Sequence, residues 1–321
     1  MVIVVFVIMV FSLGKIHSLS EIKYGVTFSQ KQAESLGLDW HKLYIDIFKD
    51  LGVKKIRLSA YWDEVEPKQG IFQWDDLDWQ LGVAKKYNAD VILAVGARLP
   101  RWPECHIPSW AGNLNKEQRE KEILKYIKEV ILRYKDNSLI SAWQVENEPF
   151  LSHFGECPPF DKNFLDREIA LVKSLDPRPI IITDSGELSI WIPAAKRADI
   201  FGTTMYRDTY SRHLRMYIHY PIEPGFFRFK KHLAGLFASP KKWIVIEMQA
   251  EPWGPIPFQY LSAEERAKTM NIKKFRDMIE FAQQTGFNEF YLWGVEWWYW
   301  EKEKQDNPIF WEEAKKLFRR N

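Results

Sequence analysis

Eight short apolar runs recur along the chain from residue 22 onward, and each is separated from the next by an amphipathic stretch. The runs occupy residues 23–28, 55–59, 90–96, 139–145, 179–183, 200–205, 243–246 and 289–293. Most are rich in Val, Ile, Leu or Phe, which is typical of parallel strands covered on both faces. Eight βα units in about 300 residues predict a single (β/α)8 barrel, with an open doubly wound α/β sheet as the alternative.

Two of the intervening helices carry clear boundary signals. Residues 40–51 place apolar side chains at helical spacing and are followed by Gly52, a common helix stop. Ser262 and Glu265 have the spacing of a capping box, and the apolar positions after them continue toward Gly286. We therefore expect one helix to end at Gly52 and another to run from Ser262 to Gly286.

The N-terminal segment differs from the rest of the chain. Residues 1–13 are almost wholly apolar and are followed by a Ser-rich patch, which resembles the hydrophobic region of a signal peptide. No Lys or Arg precedes this run, and it is shorter than the roughly 20 residues that a membrane helix needs. We expect residues 1–20 to be a signal peptide or a short N-terminal anchor and residues 21–321 to form the barrel domain. The protein is then secreted, or membrane-anchored outside the cytoplasm.

Charge and motif content narrow the possible partners. The 45 basic and 43 acidic residues are spread along the chain and leave a net charge of +2, so no basic field for nucleic acid is expected. A zinc-protease helix motif, a Walker loop and a Gly-rich dinucleotide fingerprint are all missing, and no pair among the seven His has metal-ligand spacing. We predict no cofactor, no metal and a neutral substrate. The 15 Trp, 13 Tyr and 21 Phe either stack on sugar rings or fill the core.

Two carboxylates follow apolar runs at positions that a barrel would bring together. Asn147, Glu148 and Pro149 follow the fourth run, and Glu247 follows the seventh. Active sites of such barrels lie at the carboxyl ends of the strands. A pair of carboxyl groups there is what glycoside hydrolysis needs, one as proton donor and one as nucleophile. For Glu148 the alternative is a helix-entry carboxylate before Pro149, and Glu251 competes with Glu247 for the second role.

The sequence of residues 143–149 resembles the acid/base motif on the fourth strand of glycoside hydrolase clan A, the retaining (β/α)8 glycosidases. Residues 56–78 are similar to the second-strand region of families 5 and 42. The resemblance implies that Glu148 is the acid/base and Glu247 the nucleophile. It also implies that Asn147 hydrogen-bonds the sugar 2-hydroxyl.

Further site residues follow from the same resemblance and from the predicted loops. Arg57 and Tyr206 match positions that orient and hydrogen-bond the nucleophile, and Trp293 matches the aromatic platform beneath the sugar. Trp62 and Glu296 lie in predicted active-face loops and are further candidates for substrate binding. Each has a structural alternative, an ion pair for Arg57 and core packing for the aromatic rings. The same choice applies to Trp102, Trp253 and Trp297, whereas Trp143 is expected in the core because Gln144 points inward.

The electrostatic expectation separates the two glutamates. A neighbouring Arg57 favours the ionised form of Glu247, whereas apolar surroundings would raise the pKa of Glu148 and keep it protonated. Cys105 and Cys157 fall in the loops after the third and fourth strands, which are neighbours in a barrel. A disulfide between them is expected in an exported protein, with reduced thiols as the alternative.

Together these features predict a retaining β-glycosidase that acts on a neutral β-linked glucan, mannan or galactoside by double displacement. The expected partner is an oligosaccharide or polysaccharide, with possible N-terminal membrane association. A barrel that binds glycans without cleaving them is the rival from another class, and it would not need both glutamates. Transglycosylation uses the same residues, and the sequence does not separate it from hydrolysis. Linkage, exo or endo action and oligomeric state are not readable from the sequence.

Overall fold

The computed structural model describes residues 21–151, 153–212 and 214–319. The predicted signal or anchor segment, residues 1–20, lies outside the described residues. The strands are β1 (Lys23–Thr27), β2 (Lys55–Ser59), β3 (Asp90–Val95), β4 (Ile140–Val145), β5 (Ile180–Asp184), β6 (Ile200–Met205), β7 (Asp208–Ser211), β8 (Met216–His219), β9 (Lys242–Gln249) and β10 (Glu289–Trp293).

The helices within the same residues lie between successive barrel strands and after β10. They are α1 (Gln30–Ser35), α2 (Trp40–Lys49), α3 (Trp62–Val65), α4 (Asp75–Lys86), α5 (Lys116–Tyr134), α6 (Lys162–Leu175), α7 (Ile192–Ala195), α8 (Pro224–Gly235), α9 (Ala263–Thr269), α10 (Ile272–Gln283), α11 (Val295–Lys304) and α12 (Ile309–Phe318). Among the described residues, none of these helices combines the length and the apolar character needed to cross a bilayer.

Eight parallel strands close into a barrel in the order β1-β2-β3-β4-β5-β6-β9-β10. The predicted (β/α)8 architecture is confirmed, and the open doubly wound sheet is wrong. The seventh predicted strand is longer than expected, because β9 continues to Gln249 and so includes Glu247. Glu247 is therefore held by the barrel's own hydrogen bonds and does not lie on a free loop, which fixes its backbone position.

The sequence did not predict the antiparallel hairpin β7–β8, which lies between β6 and α8. Its four residue pairs run from Asp208 with His219 to Ser211 with Met216. Tyr210 and Tyr217 face each other across the two strands, with ring centroids 5.2 Å apart. Every residue of β7 is only partly buried, so the apolar run that reveals a barrel strand is missing from it.

Apolar side chains pack on both faces of the barrel strands. The larger cluster lies between barrel and helices and includes Trp143, which is fully buried as expected. A smaller cluster fills the barrel interior and consists of Ile92, Ala142, Ile181, Ile244, Ile246 and Tyr291. Because neighbouring strand residues face opposite sides, Gln144 shares the inward face of β4 with Ala142. The polar side chains near the carboxyl ends therefore rest on a closed apolar floor.

The predicted helix from Ser262 to Gly286 is two helices. Ser262 caps the first as expected, its hydroxyl accepting a hydrogen bond from the backbone of Glu265. That helix ends at Thr269, and Asn271 starts the next by accepting from the backbone of Lys274. Asn is among the most favoured N-cap residues, so Asn271 starts a new helix where the first helix could otherwise have continued.

Candidate active site

The chain makes a sharp turn at the carboxyl end of β4. Glu146 and Glu148 both adopt the left-handed backbone region, with φ values of 58° and 42°. This conformation is costly for residues other than Gly, so surrounding contacts must hold it. The Glu146 carboxylate accepts hydrogen bonds from the backbone of Ala97 and Arg98 at 2.8 and 2.7 Å. The backbone of Glu148 donates to Thr183 Oγ1 at 2.7 Å, which fixes the turn from the neighbouring strand.

Glu247 is buried at the carboxyl end of β9, and each of its oxygens has a donor. Arg57 Nη1 lies 2.7 Å from Glu247 Oε1, and the Tyr206 hydroxyl donates to Oε2 at 2.9 Å. Burial, and next the charge of Glu247, raise the pKa of Tyr206 well above its ordinary value, so this hydroxyl keeps its proton. The structure thus brings together the three residues that the sequence assigned to the nucleophile and its partners.

Arg57 is fully buried and uses its whole guanidinium within the site. Besides the bond to Glu247, Nη2 donates to Asn147 Oδ1 at 2.7 Å and Nε donates to Gln144 Oε1 at 2.8 Å. The Asn147 side-chain oxygen is thereby occupied, and its Nδ2 faces Glu104 Oε2 at 3.2 Å. One arginine consequently orients the nucleophile candidate and the amide that the resemblance assigns to the sugar.

Glu148 lies in a different environment. The Thr204 hydroxyl donates to its Oε1 at 3.2 Å. Burial raises the pKa of Glu148 well above its ordinary value, and the charges of Glu247 and Glu104 raise it further. These surroundings favour the protonated form, which a proton donor needs. The carboxyl group of Glu148 thus lacks the cation and the second donor that bond Glu247.

Two residues that the sequence analysis missed complete the site, and both lie in the loop after β3. Arg101 and Glu104 have positive φ values of 84° and 71°, and both side chains are buried. Burial, and next the charge of Glu247, raise the pKa of Glu104 to about 8. One sequence feature could have indicated Glu104. It directly precedes Cys105, a member of the predicted disulfide pair that anchors this loop.

The predicted disulfide is confirmed. Cys105 and Cys157 are bonded, with Cα atoms 5.2 Å apart, and join the loops after β3 and β4. Gly155 lies against Glu104, where a Cβ on the glycine would come within 2.7 Å of the Glu104 Cβ. The two disulfide-linked loops therefore pack tightly around Glu104.

Trp293 lies at the carboxyl end of β10 as predicted, but a cation covers one face of its ring. The Arg101 Cζ lies 4.0 Å from the ring centroid. Arg101 pairs at 2.5 Å with both Glu251 and Glu296. The Trp293 indole donates to Glu251 Oε1 at 2.7 Å. Glu251, which competed with Glu247 as nucleophile, is thus a partner of Arg101 and Trp293.

Glu296 and Trp62, which the sequence proposed for substrate binding, are held by partners within the protein, and their role in binding stays a prediction. Glu296 is fully buried, and its two oxygens accept from Arg101 and from the backbone of Ser29. Trp62 is also fully buried, and its indole donates to Glu66 Oε2 at 2.9 Å. Both side chains found protein partners on the inner side of their loops, because the first turn of α3 and of α11 points them inward.

The remaining loop tryptophans differ in exposure. Trp297 is buried in the core, whereas Trp102 is 49% exposed. Trp102, Phe154 and Trp253 form an aromatic rim, with ring centroids 6.2 Å apart between the first two and 6.1 Å apart between the last two. Trp253 also meets Tyr206 at 5.4 Å, which puts the rim next to the nucleophile candidate. Within the described residues, no group of three or more His, Cys, Asp or Glu side chains is arranged to hold a metal ion.

Comparison with known proteins agrees with this geometry. The sequence profile of glycosyl hydrolase family 10 matches residues 56–157, a segment that includes Arg57 and Glu148. Family 10 belongs to clan A. The resemblance to glycoside hydrolase clan A is confirmed. The matching profile is that of family 10, whereas residues 56–78 resemble the second-strand region of families 5 and 42.

A curated relative, β-galactosidase BgaA of Clostridium cellulovorans, is 21% identical over 165 residues, which are 45% of this chain and 25% of that protein. The match therefore spans a quarter of that relative's length. Xylanase 10B of Thermotoga petrophila, solved with xylobiose, has 17% identity and a TM-score of 0.54, covering 88% of this chain and 87% of its own. Exo-β-1,4-mannosidase Op5Man5 of an Opitutaceae bacterium has 14% identity and a TM-score of 0.60, covering 93% and 60%. At these identities the solved structures establish the (β/α)8 barrel fold.

Proposed function

We propose that this protein is a retaining β-glycosidase that hydrolyses β-linked neutral glycans by double displacement. The observation that carries the proposal is the contrast between two buried carboxyl groups. Glu247 receives a donor on each oxygen, one of them the cation Arg57. Glu148 has a raised pKa from burial and receives only a threonine hydroxyl among the described hydrogen bonds to its carboxyl group. Retaining glycosidases need a pair of carboxyl groups, one as nucleophile and one as proton donor.

In the first step, Glu247 attacks the anomeric carbon while Glu148 gives its proton to the leaving oxygen. The glycosidic C–O bond breaks as a bond from carbon to a Glu247 oxygen forms. Arg57 and Tyr206 hold the attacking carboxylate in one orientation by their bonds to its two oxygens. Asn147, held by Arg57, is placed to hydrogen-bond a sugar hydroxyl through its amide nitrogen.

In the second step, the glycosylated Glu247 no longer carries a charge. That charge is the second cause, after burial, of the raised pKa of Glu148, so its loss lets Glu148 ionise more easily. Glu148 then takes a proton from water, the water oxygen attacks the anomeric carbon, and the bond to Glu247 breaks. The same carboxyl group thus serves as acid and then as base, with no further group required.

The site's charge balance supports a neutral sugar. Arg57 and Arg101 are each paired with buried glutamates, and the second pairs with two of them. An anionic sugar would add charge to a region where carboxylates already match or exceed the cations. The proteins with similar folds include a xylanase solved with xylobiose and an exo-β-1,4-mannosidase.

The test is a panel of aryl β-glycosides of glucose, galactose, mannose and xylose. Glu148→Ala should lose activity and recover part of it with azide on an activated leaving group, whereas Glu247→Ala should stay inactive or give the opposite anomer. Exposed Glu312→Ala is the matched control. A fluorosugar should label Glu247, as mass spectrometry of the peptides can detect. Unchanged turnover in either active-site variant would refute the assignment.

The same panel separates the rival functions. A glycan-binding barrel would bind the sugars without turnover by the unmodified protein. A transglycosylase would transfer the sugar to an added acceptor glycoside in preference to water, which the product ratio measures. The paired glutamates favour catalysis over binding alone, because binding does not need two carboxyl groups in opposite protonation states.

We also propose that residues 1–20 direct export or anchor the protein outside the cytoplasm. The bond between Cys105 and Cys157 supports this, since stable disulfides are typical of oxidising compartments. Cell fractionation with N-terminal sequencing tests the proposal. A full-length chain with reduced cysteines in the cytosol would contradict it.

A further inference from the structure

Glu168 is a carboxyl-bearing residue on the apolar face of helix α6. Leu165, Ile169 and Val172 lie around it at helical spacing, and all four side chains are buried. A glutamate is rarely fully buried unless a partner stabilises it. Within the described part of the chain, no N–H or hydroxyl group donates to its Oε1 atom. Another kind of contact must therefore accommodate this carboxyl group in the folded protein.

The partner of Glu168 is a second buried carboxyl group, that of Glu146. The two side chains lie within hydrogen-bonding distance of each other. Glu146 also accepts from the backbone of Ala97 and Arg98 at 2.8 and 2.7 Å. A Cβ on Gly96 would come within 2.4 Å of Glu146 Oε1, so the carboxylate packs against the residue that follows β3. Glu146 is thus enclosed between the loop after β3 and helix α6.

Two carboxyl groups in contact inside a protein cannot both be ionised, because like charges repel strongly there. One of them keeps a proton, and the surrounding bonds decide which one. Two backbone N–H groups stabilise the ionised form of Glu146. Burial, and next the charge of Glu146, raise the pKa of Glu168 well above its ordinary value. Glu168 is therefore the member of the pair that is suited to hold the proton.

The neighbouring cations have other partners. Arg98 Nη2 donates to the carbonyl oxygens of Leu151 and Phe154, and Arg167 Nη1 donates to Glu120 Oε2 at 2.8 Å. Neither guanidinium bonds the glutamate pair, so a retained proton rather than an ion pair offsets the second charge. The charged or titratable groups that face the pair come from the loop after β3, from α5 and from α6, and are Arg98, Glu120, Tyr126 and Arg167.

We propose that Glu168 is a positioning residue that holds Glu146, and through it the turn that carries Glu148, by a hydrogen bond from its retained proton. The effect on catalysis rests on the proposed glycosidase function. Glu146 and Glu148 both have positive φ values, and Asn147 between them donates its backbone N–H to the Arg98 carbonyl at 2.7 Å. The position of the proposed proton donor therefore depends on a glutamate of α6 that lies behind the turn.

The first test compares Glu168→Leu and Glu168→Gln on two aryl β-glycosides, one with a good and one with a poor leaving group. Leucine removes the O–H, whereas the glutamine amide still donates to Glu146. Glu168→Leu should lower kcat/KM on the poor leaving group about 10-fold or more, the effect of losing a hydrogen bond to a charged group. The fall on the good leaving group should be smaller, because its departure needs little proton donation from Glu148.

Glu168→Gln should recover most of this loss. A variant that merely contains less folded protein would lose the same factor on both substrates. Equal falls on the two glycosides, or no recovery in Glu168→Gln, would therefore overturn the positioning role.

The retained proton can be observed without a substrate. Infrared spectroscopy detects the C=O stretch of protonated carboxyl groups, and Glu168→Gln should remove part of this signal. The folded protein holds a proton that the unfolded chain releases above pH 4.5, so the contribution of Glu168 to stability is lost as pH rises. Urea unfolding at pH 5 and pH 9 should accordingly show a smaller decline in Glu168→Gln.

Glu117→Gln, an exposed substitution of the same kind on α5, is the matched control and should change neither measurement. An unchanged infrared signal in Glu168→Gln would overturn the proposal. If Glu168→Leu does not fold, this comparison with Glu168→Gln still decides it.

Hydrogen exchange separates this proposal from the proposed function. Glu168→Leu should speed the exchange of the Ala97 and Arg98 amides, which donate to Glu146, whether or not the protein cleaves glycosides. A protein that cleaves none of them but shows this change would refute the glycosidase and support Glu168 as the residue that holds the turn. A protein that cleaves glycosides with unchanged exchange would do the reverse.

Discussion

Arg57 on β2 reaches across the barrel to Glu247 on β9, and their ion pair of 2.7 Å spans strands that are not neighbours. The same guanidinium holds Gln144 and Asn147 at the end of β4. Three separate strands are thus joined by one buried side chain. The relative position of the two proposed catalytic glutamates therefore depends on Arg57 as much as on the strands.

Arg57→Ala should lower the free energy of unfolding by roughly 3–5 kcal/mol, because it leaves the buried Glu247 charge unpaired. Activity should be lost with it. Urea unfolding measures the change, and Arg276→Ala is the control, since its pair with Glu313 lies at the solvent-exposed surface and should contribute little to stability. Equal losses in the two variants would contradict the role of Arg57 as a buried bridge.

Tyr206→Phe removes only the hydroxyl that donates to Glu247 at 2.9 Å. We expect kcat to fall about 10- to 100-fold, the effect of losing a hydrogen bond to a charged group. KM should change little, since the ring and its contact with Trp253 remain. Steady-state kinetics on an aryl glycoside tests this, and a rise in KM at constant kcat would instead make Tyr206 a substrate-binding residue.

Glu104 should make stability depend on pH. Its pKa is raised from 4.5 to about 8 by burial and then by Glu247, so the folded protein holds a proton that the unfolded chain releases above pH 4.5. Its contribution to stability is therefore full below about pH 4.5 and is lost as pH rises toward 8. Glu104→Gln mimics the protonated group. Urea unfolding at pH 5 and pH 8 should show a smaller decline in this variant, and an identical decline would contradict the burial of an uncharged Glu104.

The disulfide encloses a chain segment with a sequence separation of 52 residues. Replacing Cys105 and Cys157 by Ser should cost about 4 kcal/mol of stability, as loop closure of this length predicts. The cost should be accompanied by lower activity, because Glu104 directly precedes Cys105. A reducing agent should destabilise the unmodified protein and leave the double variant unchanged. Loss of activity on reduction of the double variant would point to a cause other than the disulfide.

The sequence predicted the barrel and both glutamates because these depend on short-range patterns. Apolar runs mark the strands, and Glu148 and Glu247 lie at or next to the carboxyl ends of two of them. In a (β/α)8 barrel the carboxyl ends of all strands lie at one face, so the proximity of these residues can be predicted without the loop conformations. Asn147 and Tyr206 follow strand ends closely, whereas Arg57 lies in the middle of β2, and the structure joins all three with Glu247 in one network.

The loop conformations were less predictable, because they depend on contacts between residues far apart in the sequence, which leave no periodic pattern. Trp62 looked like a loop aromatic, but its indole turns inward to Glu66 in the next helical turn. Arg101 and Glu104 enter the site through left-handed backbone conformations that are unusual for their residue types. Backbone hydrogen bonds between Arg101 and Glu104 and between Leu99 and Glu104 hold this loop, together with the carboxylates around Arg101 and the disulfide at Cys105.

Because of the turn at Glu146 and Glu148, the residue types alone do not specify the position of the site's side chains. A regular strand would send alternate side chains to opposite sides of the barrel, and Asn147 would then face away from Glu148. The two left-handed residues instead let three successive side chains hold the β3 loop, bind Arg57 and present the proposed proton donor. A relative that kept these three residues but lost the turn would retain the motif in its sequence and lack the site in its fold.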